Sequence, residues 1–277
     1  MKRFVTHAIG AVTLVGLTAS AFAACAHDDS SIFIRGVLAP PTNQTDGTCL
    51  YTPDPTQPEI SNGELDLGLS QAYYANFIVG NQMNQLANAQ QLATETDRVV
   101  IQGAIVSITD SATGQQVRAS FSTPAAGFVD PGQDGTPSYG VVLGVEIIDP
   151  TSTSAYIGQL KAGAIGSATL IADVKLYGTT LGGTHEETNN YEFPVNLVYG
   201  VLVSFPNGSS DPAFGNEKAC LGASGTSGSS TTAVPPCILG QDQPVDCSLC
   251  AGLSNGVCGF TSPPSGGDAG VADASGD

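Results

Sequence analysis

The chain has 277 residues with 34 Gly, 17 Pro, no Trp and only 12% charged residues. That length suits one large domain or two small ones, and the Gly and Pro content favours turns over long helices. A net charge of −17 excludes nucleic acid or an anionic membrane surface as the main partner, since gripping phosphate needs clustered Lys and Arg.

Lys2 and Arg3 precede an apolar stretch from Phe4 to Leu17, followed by a small-residue exit, Ala19-Ser20-Ala21-Phe22-Ala23-Ala24-Cys25. This pattern predicts a secretory signal over residues 1–24, too short for a permanent membrane span. Its end reads in two ways. Phe22-Ala23-Ala24-Cys25 resembles a bacterial lipobox, with Phe22 where Leu is usual, so that Cys25 is diacylated on sulfur and becomes the new N-terminus. Alternatively, ordinary cleavage after Ala21-Phe22-Ala23 leaves Cys25 as a free thiol. Each buried methylene contributes roughly 0.8 kcal/mol, so two or three acyl chains anchor a protein stably without a spanning helix. Ala26, rather than Asp, after Cys25 favours the outer membrane. Residues 25–31 are then a lipidated tether. Loss of Lys2 and Arg3 makes the mature body still more negative, which suits a body held off a negatively charged surface by its lipid alone.

Residues 32–206 read as one all-β domain with a period of two. Leu65, Leu67 and Leu69 alternate with Glu64, Asp66 and Gly68, and Tyr73, Ala75, Phe77 and Val79 continue the alternation. Residues 82–96 are polar with scattered Leu and Ala, and are read as a loop in preference to a helix. The runs 98–109 (RVVIQGAIVSIT) and 139–148 (YGVVLGVEII) are apolar on both faces, as central strands are. Asp130-Pro131-Gly132-Gln133-Asp134-Gly135 forms a turn-rich loop between two strands. Asp149-Pro150 opens one short helix over 151–162. Leu170, Ala172, Val174 and Leu176 alternate with Thr169, Asp173 and Lys175. Gly182-Gly183 supplies the positive φ angles of a tight hairpin. The run from Tyr191 to Phe205 keeps one apolar face throughout, and Pro194 within it predicts an edge position or a bulge. About seven to nine such strands predict an antiparallel β-sandwich of immunoglobulin-like general type. A closed barrel is the alternative.

Beyond this domain the texture changes. Residues 207–260 carry five Cys among Gly, Ser and Pro, and 261–277 form an acidic tail expected to be disordered. With Cys25 lipidated, six Cys remain: Cys49, Cys220, Cys237, Cys247, Cys250 and Cys258. If all six pair, the five from Cys220 to Cys258 cannot pair only among themselves, so Cys49 must cross-link to one of them. Closing a loop of more than about 170 residues is worth up to about 5 kcal/mol in the chain-entropy account. The Cys-rich segment is therefore expected to be stapled to the sandwich, its remaining connectivity open. Structural disulfides are the reading preferred for Cys247-Ser248-Leu249-Cys250, over a metal site or a redox pair. A second CxxC is missing, and so is the strand-to-helix context of a thioredoxin-like site.

No catalytic constellation, cofactor motif or metal site is evident. The mature chain has two His, His27 and His185, and no HExxH. Gly252-Leu253-Ser254-Asn255-Gly256 matches GxSxG in letters, but lacks the strand before it and the activating His that a nucleophile elbow needs. Asp130 with Asp134, or Glu186 with Glu187, could hold calcium with help from carbonyls, but the spacing fits no EF-hand loop and turn stabilisation is the commoner role of such Asp residues.

The sequence resembles a set of exported proteins and lipoproteins of myxobacteria. The likeness rests on Arg35-Gly36-Val37-Leu38-Ala39-Pro40-Pro41, Val79-Gly80-Asn81-Gln82 and Thr94-Glu95-Thr96-Asp97-Arg98-Val99. It extends to Gly178-Thr179-Thr180-Leu181-Gly182-Gly183-Thr184, and to Cys237 through Cys247 with Gly240-Gln241-Asp242 between. Where those relatives carry a Cys pair, this chain has Val198 and Val201. The resemblance implies export and surface attachment, and no particular activity. The expectation is an outer-membrane lipoprotein acting as a binding or envelope-structural module, not an enzyme, with an unidentified envelope or extracellular partner and no nucleic acid. The alternatives are a secreted hydrolase using a carboxylate pair and a calcium-dependent adhesin.

Overall fold

The period-two segments fold as strands whose alternate residues point into one core. The structure, a computed structural model, describes residues 30–41, 49–86, 94–204, 234–250 and 257–258. The chain divides into two units, Met1–Ser30 and Ser31–Asp277, and the second carries the fold. The first strands are β1 (Ile32–Leu38), β2 (Glu59–Ile60), β3 (Gly63–Asp66), β4 (Tyr73–Asn81), β5 (Val99–Asp110), β6 (Gln116–Val129) and β7 (Ser138–Ile148). Helix α1 (Pro150–Lys161) precedes β8 (Ala168–Thr180), β9 (His185–Glu187), β10 (Tyr191–Val198), β11 (Val203–Ser204) and β12 (Val245–Asp246).

The expected sandwich is not what these strands build. They form one large mixed sheet, in the order β2-β1-β4-β7-β6-β5-β8-β10-β3 with β9 beside β8, nearly closed into a barrel. Two features join what would otherwise be separate sheets. Strands β6 and β7 run side by side and pair at Ala126 and Leu143. The edge strands β2 and β3 are consecutive in the chain, separated only by Ser61-Asn62, so the two ends of the sheet are brought together covalently. Nor is the sheet purely antiparallel, since β3 runs parallel to β10. Alternation signals one buried face per strand and cannot say whether the buried faces belong to two sheets or to one curled sheet.

Side chains fill the interior. Tyr73, Phe77, Phe193, Ile108, Leu170 and Leu176 are fully buried in one cluster, and each contributes roughly 1.5–3 kcal/mol by leaving water. The two central runs lie where expected, β5 between β6 and β8 and β7 between β4 and β6. Their outward faces are less covered than the sequence suggests, for Val100, Ile105 and Leu143 stay exposed.

Register defines two ends. Strand β4 runs from Tyr73, paired with Ile148, to Asn81, paired with Ser138 and Ile32. Strand β5 runs from Val99, paired with Val129 and Thr180, to Asp110, paired with Leu170. The segments 82–86, 94–98, 130–137 and 181–184 therefore gather at one end, the open end. Helix α1, the turn after Asp110 and the Cys237–Asp246 segment gather at the other, the closed end.

Asp149 caps α1 by accepting from the Thr151 and Ser152 N–H groups, with Pro150 in the first turn. The Gly182-Gly183 hairpin forms, with Gly183 at φ +89° and the Thr180 N–H donating to the Thr184 carbonyl at 2.8 Å. The described parts of 82–96 are loop, and 87–93 lie outside the described residues. The run from Tyr191 to Phe205 is not one strand: β10 stops at Val198, and the chain turns through Gly200 at φ +72° before β11. Pro194 lies in an interior strand, but one residue before the pairing with β3 begins at Val195.

Candidate functional site

The closed end is held by a buried polar lattice. Asp66, given to the polar face by its alternation with Leu65 and Leu67, is instead fully buried. One carboxylate oxygen accepts from the Gly68 and Gly200 N–H groups at 2.9 and 2.7 Å, and the other from Leu202 at 2.9 Å. Those donors bend the chain after β10, which is why the long apolar run breaks there.

A strap from the Cys-rich segment completes this end. Cys237 is disulfide-bonded to Cys49, 188 residues away, so the cross-link required of Cys49 reaches the second of the five candidate Cys. The strap then lies between β3 and β4. The Asp66 N–H donates to the Gly240 carbonyl at 2.9 Å and the Asp242 N–H to the Glu64 carbonyl at 3.0 Å. Gln241 turns its side-chain amide to β4, accepting from the Tyr74 N–H at 2.9 Å and donating to the Tyr74 carbonyl at 2.6 Å. A side chain thus supplies the rungs that a neighbouring strand would. Asp242 accepts from the Glu64 N–H at 2.8 Å and the Tyr73 hydroxyl at 2.7 Å. Burial pushes the Asp242 carboxyl above its ordinary value, against the pull of these donors and Gln241. Burial first, and Asp242 second, push the Tyr73 phenol up. Gly240 has φ +78°, and a Cβ there would meet the Leu69 Cβ at 2.7 Å.

The open end is built otherwise. Asn81, fully buried at the end of β4, ties its floor: its amide donates to the Asp97 and Val129 carbonyls, and its oxygen accepts from the Met83 N–H. The Glu95 carboxylate accepts from the Leu86 and Asp97 N–H groups at 3.1 and 2.7 Å. Backbone bonds from Gly182 to Thr96 and from Leu181 to Arg98, both 2.9 Å, attach the β8–β9 hairpin. The 130–137 loop is a small hairpin in which Gln133 and Thr136 exchange backbone bonds around Asp134 and Gly135, both at positive φ. A Cβ on Gly132 would meet the Thr136 carbonyl oxygen at 2.5 Å.

Between these loops lies a cleft of about 600 Å³, lined by Gln85, Glu95, Arg98, Asp130, Pro131, Gln133, Thr136, Pro137 and Ser138. Arg98 forms an ion pair with Asp130, and its guanidinium sits 5.1 Å from the centre of the Phe128 ring. Among the described residues, the side chains of Gln85, Gln133, Thr136 and Ser138 make no hydrogen bond within the protein. They are the cleft's uncommitted polar groups.

The residues singled out by sequence fall as follows. Cys25, Cys220 and the Gly252–Gly256 run lie outside the described residues, as does the tail. Cys247 and Cys258 are disulfide-bonded and pack with Val203 and Val245; Cys250 ends the 3-10 turn that begins at Cys247. A Cys held in a disulfide is not a thiolate metal ligand. Asp130 is engaged by Arg98, while Asp134 occupies the turn. Glu187 is paired with His185 and Lys175, both at 3.2 Å, and these two lower its pKa in that order. Among the described residues no group of three or more His, Cys, Asp and Glu is placed to hold a metal ion.

Sequence reasoning missed the cleft, and it expected the stapled segment without its hydrogen bonds to β3 and β4. No protein-family model, curated protein or solved structure matches the chain.

Proposed function

We propose that this chain is a lipid-anchored module of a Gram-negative outer membrane that binds an envelope or extracellular partner through the open end of its barrel. The signal-like leader and the small-residue exit before Cys25 support export and acylation. The observation that carries the binding role is the cleft, where the side-chain amides and hydroxyls of Gln85, Gln133, Thr136 and Ser138 are left uncommitted. Connectivity supports the same end. Ile32 pairs with Asn81 at the open end, and the seven residues from Cys25 to Ser31 span at most about 25 Å when extended.

Two measurements test the proposal. Metabolic labelling with an alkyne fatty acid should mark the native protein and not Cys25→Ala, and only the variant should leave the membrane fraction. A photo-crosslinking residue at Gln133 should capture an envelope component that the same residue at Asn190 does not. A native protein without acyl label would overturn the anchor, and identical capture at both positions would overturn the site.

A further inference from the structure

We infer that the cleft takes a neutral, hydroxyl-rich ligand, the sugar of a glycan. The inference rests on the proposal that the open end is the binding end, and adds what is bound there. Three ligand classes can be compared on the groups present. An anion needs a cation free to meet it, but Arg98 is already paired with Asp130 and stacked on Phe128. Glu95 adds a further negative charge, and the chain as a whole carries −17, so an approaching anion is repelled.

An extended peptide needs a row of open backbone groups. Here the backbone is engaged with itself. The Gln85 N–H donates to the Gly132 carbonyl, the Gly132 N–H to the Met83 carbonyl, and Gln133 and Thr136 bond reciprocally.

What remains is the side-chain set of Gln85, Gln133, Thr136 and Ser138. Each amide and each hydroxyl both donates and accepts, as does every hydroxyl of a sugar ring. Two neighbouring ring hydroxyls can satisfy one primary amide through its two kinds of polar atom. Pro137, in the lining of the same cleft, offers apolar surface for the C–H side of the same ring. A cleft of about 600 Å³ is within the range that holds a small ligand. The glycan's source is either free in solution or attached to a lipid headgroup.

Calorimetry on the full mature chain with its disulfides intact tests this. The probes are maltopentaose, cellopentaose, mannopentaose and chitotetraose, with phosphatidylcholine vesicles alone, carrying digalactosyl diacylglycerol, or carrying phosphatidylglycerol. At least one neutral sugar, free or on vesicles, should bind saturably. Gln133→Ala and Thr136→Val should each weaken it by about tenfold or more, the size of one lost hydrogen-bonding partner, with unchanged unfolding midpoints. Binding to galactolipid vesicles only, or to free sugars only, supports the inference and identifies the source. No binding of any neutral sugar, binding that survives both substitutions, or preference for phosphatidylglycerol overturns it. Capture of an envelope component through Gln133 while every sugar fails would overturn this inference and leave the proposed function standing.

Discussion

At the closed end Asp66, Gln241 and Asp242 direct their polar atoms at the backbone of β3, β4 and the turn after β10. At the open end Asn81 and Glu95 do the same for the floor, but Gln85, Gln133, Thr136 and Ser138 do not. Depth separates the two cases. A buried polar atom without a partner costs about 1–3 kcal/mol, so the groups sealed under the strap must be satisfied from within. Those lining a wet cleft are satisfied by water until a ligand displaces it. One end is thus a latch, and the other keeps its hydrogen-bonding capacity for something else.

The largest test of that contrast removes the staple. The Cys49→Ala/Cys237→Ala double variant should lose about 2–5 kcal/mol in urea unfolding, because a long loop is freed in the denatured chain. A loss below about 1 kcal/mol would mean the strap holds nothing. Asp66→Ala comes next, with an expected loss of about 4 kcal/mol, since three buried N–H groups lose their acceptor. Gln241→Ala should cost about 2 kcal/mol by stripping both partners from the Tyr74 backbone. Hydrogen exchange should then speed up at Tyr74 while the Thr136 amide is unaffected.

The effect of pH sharpens the comparison further. Burial raises the Asp242 carboxyl in the folded state, so its contribution is fully present below the ordinary carboxylate value and is lost as pH rises through the raised one. The stability of wild type relative to Asp242→Asn should therefore fall on going from pH 4 to pH 7. A difference that stays flat would place this carboxylate in water. The smallest effect belongs to the open end: Arg98→Ala breaks a half-exposed ion pair and should cost under about 1 kcal/mol.

Legibility divides along the same line. The strands could be read because Tyr73, Ala75, Phe77 and Val79 share one face through backbone geometry alone. The helix start at Asp149-Pro150 and the turn at Gly182-Gly183 were likewise written within a few residues. Asp66 was misplaced for the same reason, because alternation assigns a face and knows nothing of the Gly200 and Leu202 amides 134 and 136 residues further on. The cleft's ion pair joins Arg98 to Asp130 across 32 residues, and neither residue carries a local sign of the other.

The order of apolar and polar residues by itself determined where most of the strands would lie and the buried side of runs such as Tyr73 to Val79, and the Cys count determined that, with Cys25 set aside and the rest paired, Cys49 is tied to the C-terminal segment. Tertiary structure alone decided that the partner is Cys237, that the strands curl into one nearly closed barrel, and that the strap completes one end while the other stays open. Periodicity acts over one or two residues, whereas barrel closure and end-sealing depend on bonds such as that from the Glu64 N–H to Asp242, 178 residues apart. Such a bond exists only once the whole sheet has brought its ends together.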